Sequence, residues 1–255
     1  MKTVLVTGSK GFIGKNLIEA LSRQEGIKIT SFTADDAIQT LESLLEETDI
    51  IYHLAGVNRP VRLEEFTTGN TGLTQTIVSI LSAEHKTPAI IISSSTQAEF
   101  DNPYGISKKK AEDILIDYSK RTGAPVYIYR LTNVFGKWCR PNYNSVVATF
   151  CHNIAHGLDI TISDRNKILE LVYIDDVINS FLNILENNER PVDVPYVTIK
   201  PTYKITLGEL ADNIYKFRDI RETLKNPDIS GDFLKCLYAT YLSYEGYLDN
   251  KEKLQ

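Results

Sequence analysis

The chain has 255 residues, 42% of them hydrophobic and 24% charged, with 28 basic against 33 acidic side chains. This composition provides a core for one sizeable folded domain and excludes a disordered or collagen-like chain. The longest apolar runs have the length of strands, so we expect no transmembrane span, and the first residues read as a strand instead of a signal peptide. A net charge of -5 offers no general attraction for nucleic acid or an anionic membrane. Three widely spaced cysteines without a CxxC pair are typical of a cytoplasmic protein.

Short apolar strands alternate with segments of helical period. The pattern predicts strands over 2–7, 28–32, 50–54, 89–93 and 126–130, and helices over 12–22, 38–47, 65–84 and 104–121. The strands are continuous runs of Ile, Val and Leu, which indicates burial on both faces. Repeated units of this kind predict an α/β fold with a Rossmann-type, doubly wound parallel sheet.

After residue 136 the alternation loosens. Further helices are predicted over 145–156 and 175–185, followed by short mixed elements and a polar tail. We therefore divide the chain into a dinucleotide-binding core, 1–136, and a smaller substrate-binding lobe, 137–255. Helix 175–185 is expected to pack back on the core, and ligands of such folds bind at the carboxyl ends of the strands.

A glycine-rich turn joins the first strand to the first helix. Gly8, Gly11 and Gly14 have GxxGxxG spacing. They permit a tight turn, close approach of a pyrophosphate to backbone amides, and close packing of helix on sheet. Phe12 and Ile13 then direct the helix inward. In this position the turn predicts dinucleotide binding.

The choice between NAD and NADP is open at this point. An acidic residue after the second strand would bind the ribose hydroxyls of NAD, and a basic one would favour NADP. Asp35 comes late enough after that strand to be a cap of the following helix instead. Lys10 is either a partner for a 2′-phosphate or a solvated loop lysine.

Serines at the end of the fourth strand precede a tyrosine and a lysine. Pro103 favours a helix start, so Tyr104 and Lys108 lie one turn apart on one face. A free tyrosine ionises near pH ~10, and a neighbouring ammonium lowers that pKa. Tyr104 can then protonate an alkoxide as hydride reaches a carbonyl carbon, while a serine hydroxyl holds the carbonyl oxygen. Lys108 is also placed to hold the nicotinamide ribose.

Together these motifs resemble those of extended short-chain dehydrogenases/reductases, the NAD-dependent epimerase/dehydratase family. The resemblance covers about the first 177 residues and is carried by 8–14, 53–56, Asn70, 93–95, 104–108, 130–136 and 172–177. It implies that Ser95, with Ser94 as second choice, joins Tyr104 and Lys108 in catalysis. The further cofactor contacts that it implies are Leu54, Ala55 and Gly56 at the adenosine ribose, Ser93, and Arg130 and Asn133 at the nicotinamide and substrate end.

A narrower resemblance, to the reductase domain of bifunctional capsular polysaccharide synthesis enzymes, is carried by 53–60, 101–105, 135–145 and 204–209. It implies NADPH-dependent reduction of the 4-keto group of a UDP-2-acetamido-2,6-dideoxy sugar, on the route to UDP-N-acetylfucosamine. The resemblance favours NADP. NAD stays possible because Ala34 stands where that family tends to place a basic residue. The substrate contacts implied are Asn58, Arg59, Ser95, Asn133, Asn142, Tyr143, Asn144, Ser145 and Arg165. For 142–145 and Arg165 the plain alternatives are loop capping and surface charge.

That family also carries a metal-binding cupin domain with epimerase activity, which would begin where this chain ends. We therefore expect no cupin domain here and claim no epimerase step. The two long helices, 65–84 and 104–121, match those through which extended reductases pair, and they predict a homodimer.

Two other features have competing interpretations. Cys151, His152 and His156 have metal-capable spacing, yet no further ligand cluster accompanies them, so we expect an exposed histidine pair and no metal. His53 ends a strand and is expected to be a packed core residue.

Two alternatives to a reductase stay open. One is a nucleotide-sugar epimerase or 4,6-dehydratase with tightly bound NAD, and the other is a catalytically silent nucleotide-binding module. Dehydratases usually place an acidic pair after the catalytic hydroxyl, whereas Thr96, Gln97 and Ala98 follow here. The intact pair of Tyr104 and Lys108 argues against a silent module.

Overall fold

The computed structural model describes residues 1–187, 195–223 and 229–245, so the predicted polar tail lies outside the described residues. The strands are Lys2–Thr7 (β1), Ile27–Phe32 (β2), Ile50–His53 (β3), Ala89–Ser95 (β4), Val126–Leu131 (β5), Asn133–Phe135 (β6), Ile168–Tyr173 (β7), Tyr196–Val197 (β8) and Tyr203–Thr206 (β9). The α-helices are Phe12–Leu21 (α1), Ile38–Glu46 (α2), Glu64–Phe66 (α3), Leu73–Ala83 (α4), Pro103–Thr122 (α5), Val146–Ala155 (α6), Ile174–Asn187 (α7), Leu207–Thr223 (α8) and Asp232–Glu245 (α9). A π-helix, Thr67–Gly72, joins α3 to α4, and a 3-10 helix, Thr96–Glu99, follows β4.

The chain forms two compact units. The first comprises Met1–Leu131 and Ile178–Ile199, and the second comprises Thr132–Val177 and Lys200–Gln255. Most of α7 therefore belongs to the first unit, although α7 begins in the second.

Six described strands of the first unit form one parallel sheet in the order β2-β1-β3-β4-β5-β8. The predicted Rossmann-type sheet is confirmed. The chain passes from β1 outward to β2 and then returns to β3 on the other side of β1, so the order reverses between β1 and β3. In open α/β sheets such a reversal leaves a crevice at the carboxyl ends of the two strands, and ligands bind there.

Apolar residues of the strands bury the sheet on both faces. On one face, Leu5, Ile51 and Ile90 pack in a cluster that includes Leu41 of α2, Ile77 of α4 and Leu115 of α5. Burying each of these side chains contributes about 1.5–3 kcal/mol. Tyr52 and Tyr129 contact the ring of Phe181 in α7, with centroids 5.6 and 4.8 Å apart. The Tyr52 hydroxyl also donates to the Phe181 carbonyl at 2.9 Å, which joins α7 to the sheet.

A helical segment extends over 64–83, close to the predicted 65–84, but its turn Thr67–Gly72 is π-helical, which the sequence did not predict. Asn70 lies within that turn and is buried, and its side chain donates to the carbonyl of Val57 and accepts from its amide at 3.1 and 2.8 Å. Gly69 allows Val57 to approach, since a Cβ there would lie 2.4 Å from Val57 Cγ2. The wider turn therefore directs Asn70 toward the loop after β3.

In the second unit, three described strands form a sheet in the order β6-β7-β9, with β6 parallel and β9 antiparallel to β7. The ring of Phe135 packs against those of Tyr173 and Phe233, with centroids 5.3 and 5.9 Å away. The hydroxyl of Tyr244 in α9 donates to the Cys139 carbonyl at 2.5 Å. These contacts bring the loop after β6 and helix α9 into one core.

Candidate active site

The glycine turn after β1 closes so tightly that side chains do not fit. Gly8 has φ +70°, and a Cβ there would lie 2.7 Å from the Ala55 amide nitrogen. A Cβ on Gly14 would lie 2.3 Å from the Gly8 carbonyl oxygen, and the Gly11 amide donates to that same oxygen at 2.9 Å. The turn is therefore a bare backbone surface beside β1 and β3.

The first turn of α1 presents free amide donors at this surface. Gly11, the residue before the helix, has no side chain with which to cap it, and Lys15 is the first residue whose amide bonds back, to the Gly11 carbonyl at 2.9 Å. The amides of Phe12, Ile13 and Gly14 precede that bond at the positive end of the helix dipole. Such an end binds anionic phosphate groups, so the residues present fit the pyrophosphate of a dinucleotide.

Lys10 and Asp35 form an exposed ion pair, with Nζ and Oδ2 2.6 Å apart. The hydrogen bond to Asp35 raises the pKa of Lys10. The alternative of Asp35 as a helix cap is wrong: α2 begins after Ala37. The neighbouring Asp36 instead accepts hydrogen bonds from the Thr33 amide and hydroxyl at 2.7 and 2.9 Å, which closes a local turn ahead of the helix.

His53 is a packed core residue, as predicted. It is 2% exposed, and its Nδ1 and Nε2 lie 2.9 Å from the hydroxyls of Thr7 and Thr74. Burial lowers its pKa to about 3, with a smaller contribution from the charge of Lys108. The ring is therefore neutral at physiological pH and joins β3 to β1 and α4.

The backbone after His53 lies against the other site residues. The Leu54 amide donates to the Thr7 carbonyl at 3.3 Å, and the Ala55 amide to the Thr7 hydroxyl at 3.2 Å. A Cβ on Gly56 would lie 2.9 Å from Asn70 Oδ1 and 3.1 Å from Lys108 Nζ. Gly56, predicted at the adenosine ribose, therefore also borders the candidate catalytic lysine.

Helix α5 positions the tyrosine and the lysine. Its cap, Asn102, accepts a hydrogen bond from the Gly105 amide at 2.9 Å, which places Tyr104 in the first turn. The Ser95 side chain lies close enough to the Tyr104 phenol to lower the pKa of that phenol, and the Tyr104 ring lies 5.6 Å from that of Phe66. Lys108 Nζ donates to the Ser93 carbonyl at 3.1 Å and lies 5.9 Å from the centroid of the Tyr104 ring.

The structure thus brings Ser93, Ser95, Tyr104 and Lys108 together and distinguishes the two candidate serines. Strand β4 runs two residues beyond its predicted end, through Ser95. Successive side chains of a strand point to opposite faces. Ser94 accordingly bonds to Glu112 and not to Tyr104.

Burial dominates the electrostatics of these groups. Burial raises the pKa of Tyr104, and the neighbouring Ser95 side chain only partly opposes this rise. The predicted lowering of the Tyr104 pKa by Lys108 is therefore wrong. Burial lowers the pKa of Lys108 to about 8, opposed by the charge of Glu112. At neutral pH, Tyr104 carries its proton and Lys108 is mostly an ammonium.

Three more predicted residues of the first unit, Arg130, Asn58 and Arg59, have surroundings that differ from those of Tyr104 and Lys108. Arg130 forms ion pairs with Glu112 and Glu99 at 2.6 and 2.9 Å. Asn58 and Arg59 are exposed in the loop after β3. Their roles in cofactor or substrate binding stay predictions.

In the second unit the candidate substrate residues make local contacts. Asn133 donates to the Glu170 carbonyl at 3.0 Å. Asn142 has φ +54°, and Ser145 caps α6 by accepting from the Ala148 amide at 3.3 Å. Arg140 stacks over the Tyr143 ring at 5.2 Å, and Arg165 forms an ion pair with Asp212 at 2.6 Å. Asn144 is exposed. Substrate roles for these residues stay predictions too.

The histidine pair, with His152 on α6 and His156 at its C-cap, is half-buried instead of exposed. The rings of His152 and His156 lie 4.2 Å apart, and Cys151 is fully buried. Across the described residues no group of three or more His, Cys, Asp or Glu side chains could hold a metal ion.

Comparison with known proteins identifies the family. The family model "NAD dependent epimerase/dehydratase family" matches residues 4–197. The chain belongs to this family. It is 43% identical over 241 residues to UDP-2-acetamido-2,6-beta-L-arabino-hexul-4-ose reductase of Pseudomonas aeruginosa, covering 94% of this chain and 64% of that protein. The chain thus spans about two thirds of that relative's length.

Solved structures agree with the family assignment. The structure of the capsular polysaccharide assembling protein CapF from Staphylococcus aureus is 43% identical with a TM-score of 0.86, covering 96% of this chain and 66% of that one. UDP-glucuronic acid 4-epimerase from Bacillus cereus in complex with NAD shares the fold at 20% identity, with a TM-score of 0.80 and coverage of 96% and 99%. In the part of this family member that the structure describes, no helix is long and apolar enough to cross a membrane.

Proposed function

We propose that this chain is a nucleotide-sugar reductase that reduces the 4-keto group of a UDP-2-acetamido-2,6-dideoxy-hexos-4-ulose in the synthesis of capsular or O-antigen polysaccharide precursors. The observation that carries the proposal is the placement of the Ser95 side chain beside the Tyr104 phenol, next to the buried amine of Lys108. The 43% identity to a reductase of this substrate class supports the choice of substrate.

Tyr104 and Ser95 together can hold a carbonyl oxygen and protonate it. A reduced nicotinamide, when bound, would supply hydride to the carbonyl carbon. Negative charge then develops on the carbonyl oxygen, and the Tyr104 phenol donates its proton there while the Ser95 hydroxyl donates a hydrogen bond. The raised pKa of Tyr104 suits this direction of reaction, because reduction needs the phenol in its protonated form at the start.

Lys108 supplies the positive charge beneath this pair. Its ammonium is anchored on the Ser93 carbonyl, one residue behind the serine pair that ends β4. Once Tyr104 has given up its proton, the ammonium stabilises the phenolate that remains. Lys108 must therefore be protonated for the reaction to proceed at full rate.

We propose NADPH as the preferred cofactor, with NADH as the alternative. The support is Lys10, whose exposed ammonium stands in the glycine turn and is free to exchange Asp35 for a 2′-phosphate. The amides at the start of α1 would hold the pyrophosphate.

The reaction can be followed directly. The purified chain is mixed with the 4-keto UDP-sugar and either NADPH or NADH, and loss of the reduced-nicotinamide absorbance is recorded. We expect consumption, with a reduced 4-hydroxy sugar as product by NMR. Tyr104→Phe should lower kcat by about a hundredfold to ten-thousandfold, the range for loss of a general acid.

Tyr118→Phe is the matched control. Tyr118 lies on the same helix, but its hydroxyl donates to the Lys86 carbonyl, so kcat should not change. Absence of cofactor consumption with any 4-keto sugar would refute the reductase. Consumption without net reduction, or release of water from a 4-hydroxy sugar with NAD, would favour the epimerase or dehydratase.

We also propose that the chain acts as a homodimer through the outer faces of α4 and α5. Ile106 on α5 is 40% exposed, which supports a contact along that helix. Light scattering should give a dimer mass, reduced toward the monomer by Ile106→Asp. A monomer at every working concentration contradicts this proposal.

We also propose a cytoplasmic location, supported by three free cysteines.

A further inference from the structure

A buried carboxylate lies beside the catalytic groups without a part in the mechanism above. Glu112 is 0% exposed. Its oxygens accept a hydrogen bond from the Ser94 hydroxyl at 2.5 Å, and from Arg130 at 3.0 Å through Nε and 2.6 Å through Nη2. The Tyr196 hydroxyl also donates to it at 3.3 Å. A buried charge is costly unless it is paired in this way, so this arrangement is a built site and not a surface accident.

The place of Glu112 in the chain connects it to the reaction. Glu112 comes one helical turn after Lys108, so the two side chains share a face of α5. Its partner Ser94 lies between Ser93, whose carbonyl accepts a hydrogen bond from Lys108, and Ser95, whose side chain lies beside Tyr104. The bond from Ser94 to Glu112 therefore ties the end of β4 to α5 at the residue between the two catalytic contacts.

We propose that Glu112 is a positioning residue for the reaction, one that keeps the Lys108 ammonium charged in its buried site and holds the serines of β4 against Tyr104 and Lys108. This inference rests on the proposed function. It assigns Glu112 two separable effects, one through its charge and one through its hydrogen bond to Ser94.

The charged groups around Lys108 give the sign of the first effect. Tyr104 and Glu112 face it from α5, and His53 from β3. His53 is uncharged above about pH 5 because burial lowers its pKa to about 3. Arg130 on β5 is paired with Glu112, and its pKa is raised chiefly by that hydrogen bond, so it stays positive throughout. Removing the negative charge of Glu112 therefore leaves Arg130 with Glu99 as its exposed partner and no buried counter-charge from Glu112, which disfavours a second cation at Lys108.

The two effects can be separated with substitutions of similar size. Glu112→Gln removes the charge, so the alkaline limb of the pH profile of kcat/KM should move down by about one pH unit or more, the size of a neighbouring-charge effect. Glu112→Asp keeps the charge and should leave the limb in place, though kcat falls. Ser94→Ala breaks only the link to β4, and it should lower kcat by about fivefold to tenfold, the loss of one hydrogen bond, without moving the limb.

Glu99→Gln is the matched control, because Glu99 is the exposed partner of the same Arg130 and lies outside the catalytic groups. It should leave both kcat and the limb unchanged. An unchanged limb in Glu112→Gln, or an equal shift in Glu99→Gln, would overturn the proposal.

A second measurement does not depend on turnover. In protein labelled with ¹³C-lysine and free of cofactor, the Lys108 Cε signal, assigned with Lys108→Met, is followed against pH. We expect titration near the value of about 8 to which burial lowers its pKa, and a lower value in Glu112→Gln. Equal values in both proteins refute the charge effect.

A wild-type chain that reduces no 4-keto sugar refutes the proposed function instead, and the NMR titration still decides the role of Glu112. If Glu112→Gln does not fold, Glu112→Asp and Ser94→Ala decide the positioning effect alone.

Discussion

Two glycines with the same backbone conformation separate strain from steric contact. Gly8 and Gly26 have φ +70° and +74°. Alanine at such a position costs about 1–2 kcal/mol in left-handed strain and recovers about 0.4–1 kcal/mol from the unfolded chain. Both Gly8→Ala and Gly26→Ala carry this small net cost. They differ in what the new methyl group meets.

At Gly26 no described atom lies within 4 Å of the added Cβ, whereas at Gly8 it would lie 2.7 and 2.8 Å from backbone atoms of Ala55 and 2.9 Å from the Leu54 carbonyl carbon. Backbone must shift to relieve this contact, which adds about 1–3 kcal/mol of overpacking. A difference of about 2 kcal/mol corresponds to about 4–8 °C in Tm for a chain of this size.

Thermal unfolding followed by circular dichroism measures that difference, and calorimetric titration with NADPH measures its effect on the glycine turn. We expect Gly8→Ala to unfold at a lower temperature than Gly26→Ala, and its Kd for the dinucleotide to rise at least about tenfold, about 1.4 kcal/mol. Gly26→Ala should bind like the wild type. Equal Tm and equal Kd for the two variants would refute the reasoning that contact with the β3 loop makes Gly8 necessary.

Two further predictions concern single side chains. Lys10→Ala should raise the KM for NADPH by about tenfold, the loss of one charge-assisted hydrogen bond, and leave the KM for NADH unchanged. Equal changes in KM with both cofactors would contradict a contact between Lys10 and the 2′-phosphate. His53 has its pKa lowered to about 3, so below about pH 6.5 the unfolded chain binds a proton that the folded chain does not. Its contribution to stability is lost as the pH falls from about 6.5, and urea denaturation at pH 7 and pH 5 should show a larger loss in the wild type than in His53→Gln.

The sheet and the glycine turn could be predicted from the sequence because local patterns determine them. Continuous apolar runs indicate strands buried on both faces, and glycines between a strand and a helix indicate a close backbone approach. The extension of β4 through Ser95 was not predicted, since serine carries no strand signal of its own. It follows from pairing with β5, where Ser94 lies beside Arg130 and Ser95 beside Leu131.

Other parts of the site depend on contacts that are distant in sequence. The only local sign of Glu112 is an acidic residue one turn after Lys108, and its meaning comes from Arg130 and Tyr196, 18 and 84 residues away along the chain. The pKa of Tyr104 was predicted in the wrong direction for a related reason. A neighbouring ammonium can be inferred from spacing, but the burial that outweighs it depends on Phe66 and the other elements packed around the ring.

The departures from regular structure in the first unit converge on one ammonium group. Lys108 is buried, and a buried cation needs acceptors and a negative charge nearby to remain charged. The acceptor is the Ser93 carbonyl and the charge is that of Glu112. On the other side, the π-helix sets Asn70 beside Gly56, and the missing side chain of Gly56 leaves the space in which Lys108 Nζ lies. A regular helix over 65–84 would turn Asn70 away, and an alanine at 56 would press on the amine. The irregular turn, the bare glycine and the buried acid therefore have a common physical reason, which is to keep a charged lysine close to the tyrosine that it serves.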